Sequence, residues 1–421
     1  SFKVLVYCPR FGHSHNNFMG RLADILVEEG HNVTSLIPVL HPLIDDGTTK
    51  SRIIHVQQNE ETLHLYQEMM DQHADFFETP HLDVATALKR GPTMGGLFSS
   101  VCRTLVNDDN LMAQLKDDNY DVLITENFCL CGIGIGPAIG VRASIIASTS
   151  SLFVQQYEDV GVPFVASIDP SIGTLQLDPH SMWDRAWNLI GDAIIRIQFG
   201  YTRPLTNAEL SSHVAFVFTN SEPLTDVASS TLSRVIPIGG IGARPLQPLH
   251  QALLHSLLPP PLPPVQKWDS LLSLRPRTVL ISFGTVAQTH TMPLYMKRAI
   301  LETISTFPNT TFVWKYEKVS DSFSLDEASL VANVVLVEWM PQNDLLADSR
   351  VVAMLTHAGM GSTQEVATRG VPALLVPLFG DQPRNALALE KSGMGRLFDK
   401  RDLGSASKLT AALGDIIENE K

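Results

Sequence analysis

The stretch THAGMGSTQEVATRGVP, Thr356 to Pro372, places a short strand pattern (VVAMLTH) directly before a helix pattern (STQEVATRG), with His357, Gly359 and Gly361 crowded between them. Ser362 or Thr363 is positioned to cap the helix, and Gly370 to end it in a left-handed conformation. A loop between a strand's carboxyl end and a helix's amino end offers unpaired N–H groups and the positive end of the helix dipole, so a phosphate would fit there. Ser362 and Glu365 also form a capping-box pattern, which would spend the same donors inside the helix. The segment alone leaves both readings open.

Working outward, the strand-then-helix rhythm repeats along the chain. The first half opens with FKVLVYCP, a loop RFGHSHN, a helix with Phe18, Leu22, Ile25 and Leu26 on one face and Gly30 after it, and then the strand NVTSLIPVL. YDVLITE, RASIIAS, AFVFTNS and RVIPIGG continue the pattern. A second run follows in TVLISFGT, a helix over Pro293 to Thr306, TFVWKYE, VVLVEWMP, VVAMLTH and ALLVPLFG. This predicts an α/β protein with two Rossmann-like parallel sheets, over residues 1–242 and 265–421. Between them Ala243 to Pro264 carries seven prolines and reads as a semi-rigid linker with a hinge. Two such domains facing each other would present the carboxyl ends of both sheets to one cleft, where open α/β sheets bind ligands.

The bulk properties narrow the partners. The chain has 421 residues and a formal charge of −13, from 44 acidic against 31 basic side chains, which argues against nucleic acid and against an anionic membrane surface. No run approaches the ~20 apolar residues of a membrane-spanning helix, so the chain as given is expected to be soluble. It begins at Ser1 and enters a strand at once, as a processed or engineered end would. The sequons at Asn32 and Asn309 would permit a secretory route. Cys8, Cys102, Cys129 and Cys131 lack metal-ligand spacing and read as buried free thiols.

Three segments close to strand ends carry the chemistry: VEWMPQNDLL, THAGMGSTQE and PLFGDQPRNA. Trp339 is either a core anchor or a flat platform for a base. Asp381 and Gln382 are either a surface turn or a pair of groups that read sugar hydroxyls. Taken together, the order W-x-P-Q, H-x-G-x-x-S-T-x-E, G-V-P and P-x-x-x-D-Q resembles the donor signature of the UDP-glycosyltransferases, which include glucosyl- and glucuronosyltransferases of detoxification. FGHSHNNFMGRLADILVEEGHNVT, VFTNSEP, IPIGG and VLISFGT extend the resemblance over most of the chain.

The resemblance implies the GT-B fold and a UDP-sugar donor, with no cofactor and no metal. By it, Trp339 would stack on uracil and Gln342 would lie near the ribose and uracil. Glu365 would accept from the ribose hydroxyls. His357, with Gly359 and the N–H groups of Gly361, Ser362 and Thr363, would hold the diphosphate, Thr285 would approach it, and Asp381 with Gln382 would grip the sugar. In the first half, His15 of the S-H dipeptide, in the loop after the first strand and preferred over His13, would be the general base, an effect worth about 10² to 10⁴-fold. Where the family places an aspartate to orient that base, this chain has Glu126, one methylene longer. Glu126 is otherwise a glutamate facing solvent at a strand end.

The implied reaction is a single inverting displacement that yields a β-glycoside from an α-linked donor. The sugar is expected to be glucose, with Arg384 keeping glucuronate open, and the acceptor a small lipophilic alcohol, phenol or acid. The span Val160 to Tyr201, rich in Phe, Trp, Ile and Pro, reads either as lining for an apolar pocket or as core. Family members commonly continue beyond a point like DIIENEK with further helices and, in animals, a membrane anchor that holds them at the endoplasmic reticulum lumen. Two other classes stay open: a UDP-sugar-binding protein that no longer transfers, and a sugar-nucleotide epimerase.

Overall fold

A computed structural model of the chain describes residues 1–72, 75–80, 84–153, 156–157, 160–171, 180–200, 213–242 and 268–418. It divides into two compact units, the first formed by Ser1–His73 and Pro80–Gly242, the second by Ala243–Lys421 with Ala74–Thr79. The proline-rich linker lies outside the described residues.

Unit 1 runs β1 (Lys3–Tyr7), α1 (His13–Glu28), β2 (Asn32–Val39), β3 (Arg52–Gln57), α2 (Glu60–Asp71), α3 (Val84–Val106), α4 (Asp109–Asp117), β4 (Val122–Glu126), α5 (Cys131–Ala138), β5 (Ala143–Ser148), α6 (Met182–Gly200), β6 (Val214–Thr219) and β7 (Val235–Pro237). Its strands form one parallel sheet in the order β3-β2-β1-β4-β5-β6-β7. The unbroken apolar runs of the central strands follow from burial on both faces. In β1, Leu5 and Tyr7 join a cluster with Leu97 and Leu123, while Val4 and Val6 join the opposite one with Phe18 and Leu22 of α1.

Unit 2 runs α7 (Trp268–Leu272), β8 (Arg277–Ser282), α8 (Leu294–Ser305), β9 (Thr310–Lys315), β10 (Val334–Val337), α9 (Gln342–Leu345), β11 (Val351–Thr356), α10 (Met360–Arg369), β12 (Ala373–Leu375), α11 (Gln382–Lys391), β13 (Gly395–Leu397) and α12 (Ala406–Glu418). Its parallel order is β10-β9-β8-β11-β12-β13. Phe312 and Trp314 of β9 pack on one face, and Val313 on the other.

In each sheet the strand order reverses beside the first strand, between β1 and β4 in unit 1 and between β8 and β11 in unit 2. Chains leaving two adjacent strands in opposite directions open a crevice at their carboxyl ends. The loop after β1 leads to His15, and β4 ends at Glu126. The loops after β8 and β11 carry Thr285 and His357.

Four expectations change. His15 lies in the first turn of α1 and not in the preceding loop, because extended Gly12 (φ −156°) caps a helix that starts at His13. Helix α10 likewise starts early, at Met360 after Gly359, so neither Ser362 nor Thr363 caps it. Its left-handed Gly370 ends it as expected. Cys102 and Cys131 are not free thiols: they form a disulfide that joins α3 to α5, leaving Cys8 and Cys129 buried and free. They are 29 residues apart, and only the packing of two helices on one face of the sheet brings them within a Cα separation of 5.5 Å. In the aromatic span after Val160, of which 172–179 and 201 lie outside the described residues, Trp183 and Trp187 stand exposed on α6, so they are not core.

Candidate functional site

In unit 2 the amino end of α10 presents N–H groups of the kind that attract anions. Thr363 N–H bonds Gly359 C=O at 2.9 Å, and Thr363 Oγ1 bonds Ala358 C=O at 3.3 Å. Thr363 is therefore spent within the helix, contrary to the reading that its N–H holds phosphate. The N–H groups of Gly359 to Ser362 precede the first helical acceptor and have no intrahelical partner. A Cβ added at Gly361 would meet no atom within 4 Å, so that side of the helix end is open. The turn before it is strained: Ala358, fully buried, holds φ +60°.

His357 is wedged between two glycines. A Cβ at Gly284 or at Gly359 would each lie 2.5 Å from its Nε2, so both positions exclude any larger residue while the ring stays in place. Desolvation, and then the nearby Lys315 ammonium, lower its pKa to about 4, against a hydrogen bond to the Ser282 backbone. The imidazole is neutral at neutral pH, and the positive charge of this site comes from Lys315. That lysine ends β9 almost fully buried, donates to Gly284 C=O at 2.7 Å and to Glu317 at 3.0 Å, and lies 5.7 Å from the centre of the Trp339 ring. Trp339, after β10, is 51% exposed, which fits a platform and not a core anchor. The core role belongs to Trp314.

The capping box is absent, because both of its side chains turn to Gln342. Gln342 Nε2 donates to Ser362 Oγ at 2.9 Å and to Glu365 Oε2 at 2.5 Å. Desolvation raises the Glu365 pKa to about 7, only partly offset by that bond and by Arg369. Thr285 is half-buried in the turn after β8. Gln382 is buried at the start of α11, and its Oε1 accepts the N–H groups of Leu378 and Phe379 at 2.8 and 3.0 Å. Buried Asn385 donates both to Asp381 Oδ2 at 2.7 Å and to Ala358 C=O at 3.1 Å, so one amide ties the Asp381 turn to the His357 turn.

In unit 1, His15 Nδ1 lies 2.9 Å from Glu126 Oε1 and 3.2 Å from Thr149 Oγ1. A carboxylate at Nδ1 requires the proton on that nitrogen, which leaves the lone pair on Nε2. Glu126 is fully buried and not solvent-facing, and its Oε2 accepts Phe128 N–H at 2.7 Å and Cys129 N–H at 3.4 Å. The ring of His15 is flanked by Phe11 at 4.4 Å and Phe128 at 5.1 Å, with Phe98 and Phe153 beyond them.

A family model described as UDP-glucoronosyl and UDP-glucosyl transferase matches residues 2–421. The chain belongs to the UDP-glycosyltransferase family. It is 26% identical over 436 residues to the putative UDP-glucuronosyltransferase ugt-48 of Caenorhabditis elegans, covering 100% of this chain and 80% of that one. It is 26% identical to human UDP-glucuronosyltransferase 3A2, covering 97% and 77%. A structure of Phytolacca americana UGT2 complexed with UDP-2fluoro-glucose and pterostilbene superposes with a TM-score of 0.63 at 17% identity, covering 100% and 91%, and shows the GT-B fold.

This glycosyltransferase therefore has its sequence-read residues gathered at two sheet ends. Sequence reading missed Lys315, Asn385, Thr149 and the phenylalanines around His15. Lys315 sat in an apolar strand pattern, TFVWKYE, where a charge at the carboxyl end was the only signal. Asn385 lay inside PLFGDQPRNA as an ordinary helix residue. Among the described residues no helix is long and apolar enough to cross a membrane, and no group of three His, Cys, Asp or Glu side chains is placed to hold a metal.

Proposed function

We propose that this chain transfers glucose from UDP-glucose to a hydroxyl of a small lipophilic acceptor by a single inverting displacement that needs no metal. The observation that carries the mechanism is the His15–Glu126 pair, a base whose Nδ1 is fixed by a buried carboxylate. Nε2 takes the acceptor's proton as the acceptor oxygen bonds the anomeric carbon. The bond from that carbon to the diphosphate breaks on the opposite face, and the charge grows on the β-phosphate. Donors already in place stabilise that charge without reorganising. In unit 2 they are the first N–H groups of α10, the neutral His357 and the Lys315 ammonium, which together support metal independence.

In this reading Trp339 stacks on uracil, Gln342 and Glu365 serve the uracil and ribose, Thr285 approaches the phosphates, and Asp381 with Gln382 grips the sugar. Residues 1–242 bind acceptor and 265–421 bind donor, joined by 243–264. Glucose is favoured because Arg384, the basic residue of that segment, is buried, and the Phytolacca structure carries UDP-2fluoro-glucose. The phenylalanines around His15 favour a lipophilic acceptor, and pterostilbene occupies the same plant structure. An oxidising compartment such as the endoplasmic reticulum lumen is supported by the Cys102–Cys131 disulfide, since disulfides persist there.

The test is UDP release with EDTA present, from UDP-glucose and UDP-glucuronate separately, against phenols and hydroxylated lipids, with His15→Ala as control. Acceptor-dependent release from UDP-glucose, abolished by the substitution, is the expected result. Release from UDP-glucuronate alone would overturn the sugar. UDP binding without release from any pair would favour a UDP-sugar-binding protein.

A further inference from the structure

Unit 2 contains a short segment from far upstream in the sequence. Residues 75–79, between α2 and α3, pack with it, and Phe76 and Phe77 are buried in its core. The Phe76 ring stacks on Phe379 with centroids 3.7 Å apart and planes 11° from parallel. The Phe77 ring meets Phe283 edge-on at 5.5 Å. Phe379 and Phe283 each precede a left-handed glycine, Gly380 (φ +64°) and Gly284 (φ +85°), and those glycines turn the chain into Asp381–Gln382 and into Thr285. The two upstream rings thus brace the residues at which both donor loops bend.

A buried cation fixes the arrangement. Lys400, almost fully buried, donates from Nζ to Phe76 C=O and to Leu378 C=O, both at 2.8 Å. An ammonium withdrawn from water is costly unless its donors are satisfied, so these carbonyls are held where Lys400 needs them. On its other side the loop is closed by Gln382 Oε1, which takes the N–H groups of Leu378 and Phe379. The turn 378–382 is therefore held by a ring stack, a lysine and its own glutamine.

We propose that Phe76, seated by Lys400, is a positioning residue for the sugar-gripping turn Phe379–Gln382. This rests on the reading that Asp381 and Gln382 hold the sugar of a UDP-sugar. The Phe76 ring stacks on the residue before the Gly380 bend, while the bend before Thr285 is met by the Phe77 ring, so loss of the Phe76 ring acts first on the sugar end of the donor.

The test compares UDP and UDP-glucose binding by calorimetry on the full chain, with kcat, for Phe76→Ala, the larger apolar replacement Phe76→Leu and Lys400→Met. The expected result is a UDP Kd within about twofold of the unaltered chain, and a UDP-glucose Kd weakened about tenfold in Phe76→Ala and Lys400→Met, which corresponds to about 1.4 kcal/mol. Phe76→Leu, which keeps most of the apolar volume and loses the stack, moves the same ratio in the same direction while keeping the thermal midpoint closer to that of the unaltered chain. Equal weakening of both ligands, or a lowered midpoint with the ratio unchanged in Phe76→Leu, would reduce Phe76 to a structural residue and overturn the inference. An unaltered chain that binds UDP but neither UDP-glucose nor UDP-glucuronate would remove the donor reading itself, and this inference with it.

Discussion

Glu126 reaches two places at once: Oε1 lies 2.9 Å from His15 Nδ1, and Oε2 accepts the Phe128 N–H at 2.7 Å. The longer arm, which in sequence put the base's orientation in doubt, is what lets a fully buried carboxylate bond both a backbone N–H and the imidazole. Glu126→Gln keeps the shape but replaces an acceptor with a group that can present N–H to Nδ1, favouring the wrong tautomer. We expect kcat to fall about 10³ to 10⁴-fold with the donor KM little changed, by the logic of tautomer loss in catalytic triads. Glu126→Asp keeps the charge but cannot span both partners, and should cost about tenfold or more in kcat. Steady-state kinetics check both, and an aspartate variant as active as the unaltered chain would show that the backbone anchor is dispensable.

Gly359 has ordinary dihedrals (φ −62°, ψ 148°), so Gly359→Ala adds a clash without backbone strain. The new Cβ would sit 2.5 Å from His357 Nε2. Forcing the ring out of its slot should cost about 1 to 3 kcal/mol of stability, as overpacking does, and weaken UDP binding because His357 leaves the phosphate seat. His357→Ala in the same chain frees the slot and should return most of the stability without restoring UDP affinity. Denaturation and calorimetry on the four members of this cycle decide it, and additive stability losses would mean that the two residues do not meet.

Much of this was legible because parallel sheets buried on both faces write themselves as apolar runs, and β1, β4, β8 and β11 were read directly. Two edge strands were not: β3 (RIIHVQ) is mostly exposed or half-exposed and β13 is three residues long, whereas β7 and β10 at the opposite edges were read from RVIPIGG and VVLVEWMP. The donor-site candidates came from the family resemblance, and the contacts of several differ from that reading. Ser362 and Glu365 look like a capping box in one dimension, but the chain at Gln342 returns beside them in three. His15 looked like a loop residue because Gly12 offers no capping side chain to mark the start of α1. Lys315, Asn385, Phe76 and the disulfide act through neighbours distant in sequence, and no periodicity encodes such pairs.

Glu365, with its pKa raised by burial to about 7, should make donor binding depend on pH. Ribose hydroxyls donate, so the ionised carboxylate is the binding form, and binding must pull the pKa down and release a proton. Affinity for UDP-glucose should therefore rise about tenfold from pH 6 to pH 8 as the free chain's Glu365 ionises, and level off above that. UDP-glucose is the right probe because its diphosphate does not titrate in this window, whereas the terminal phosphate of UDP does. His357, at about 4, titrates below the window. Calorimetry in buffers of different ionisation enthalpy measures the proton release. Glu365→Gln should abolish both the release and the slope, and a slope that survives it would move the titration to another group.

The Cys102–Cys131 disulfide ties α3 to the first residue of α5, and the turn between Glu126 and that residue supplies the two N–H groups that hold Glu126 Oε2. Closing a loop over a separation of 29 residues should stabilise the folded state by about 3 to 4 kcal/mol on the chain-entropy model. Opening it has a second consequence, because the 127–131 turn loses its anchor and Glu126 loses a fixed cradle. We expect the paired substitution Cys102→Ala and Cys131→Ala to lower the thermal midpoint and, at temperatures where the chain stays folded, to lower kcat more than it raises the donor KM. The donor residues lie in unit 2, so UDP affinity should hold. Thiol titration of the denatured chain gives the covalent check: Cys8 and Cys129 should react before reduction, and Cys102 and Cys131 only after it. If all four react without reductant in protein folded under oxidising conditions, the bond is absent and the link to Glu126 falls with it. If the bond is present but kcat does not change on its removal, the turn is held by Glu126 itself, and the disulfide serves stability alone.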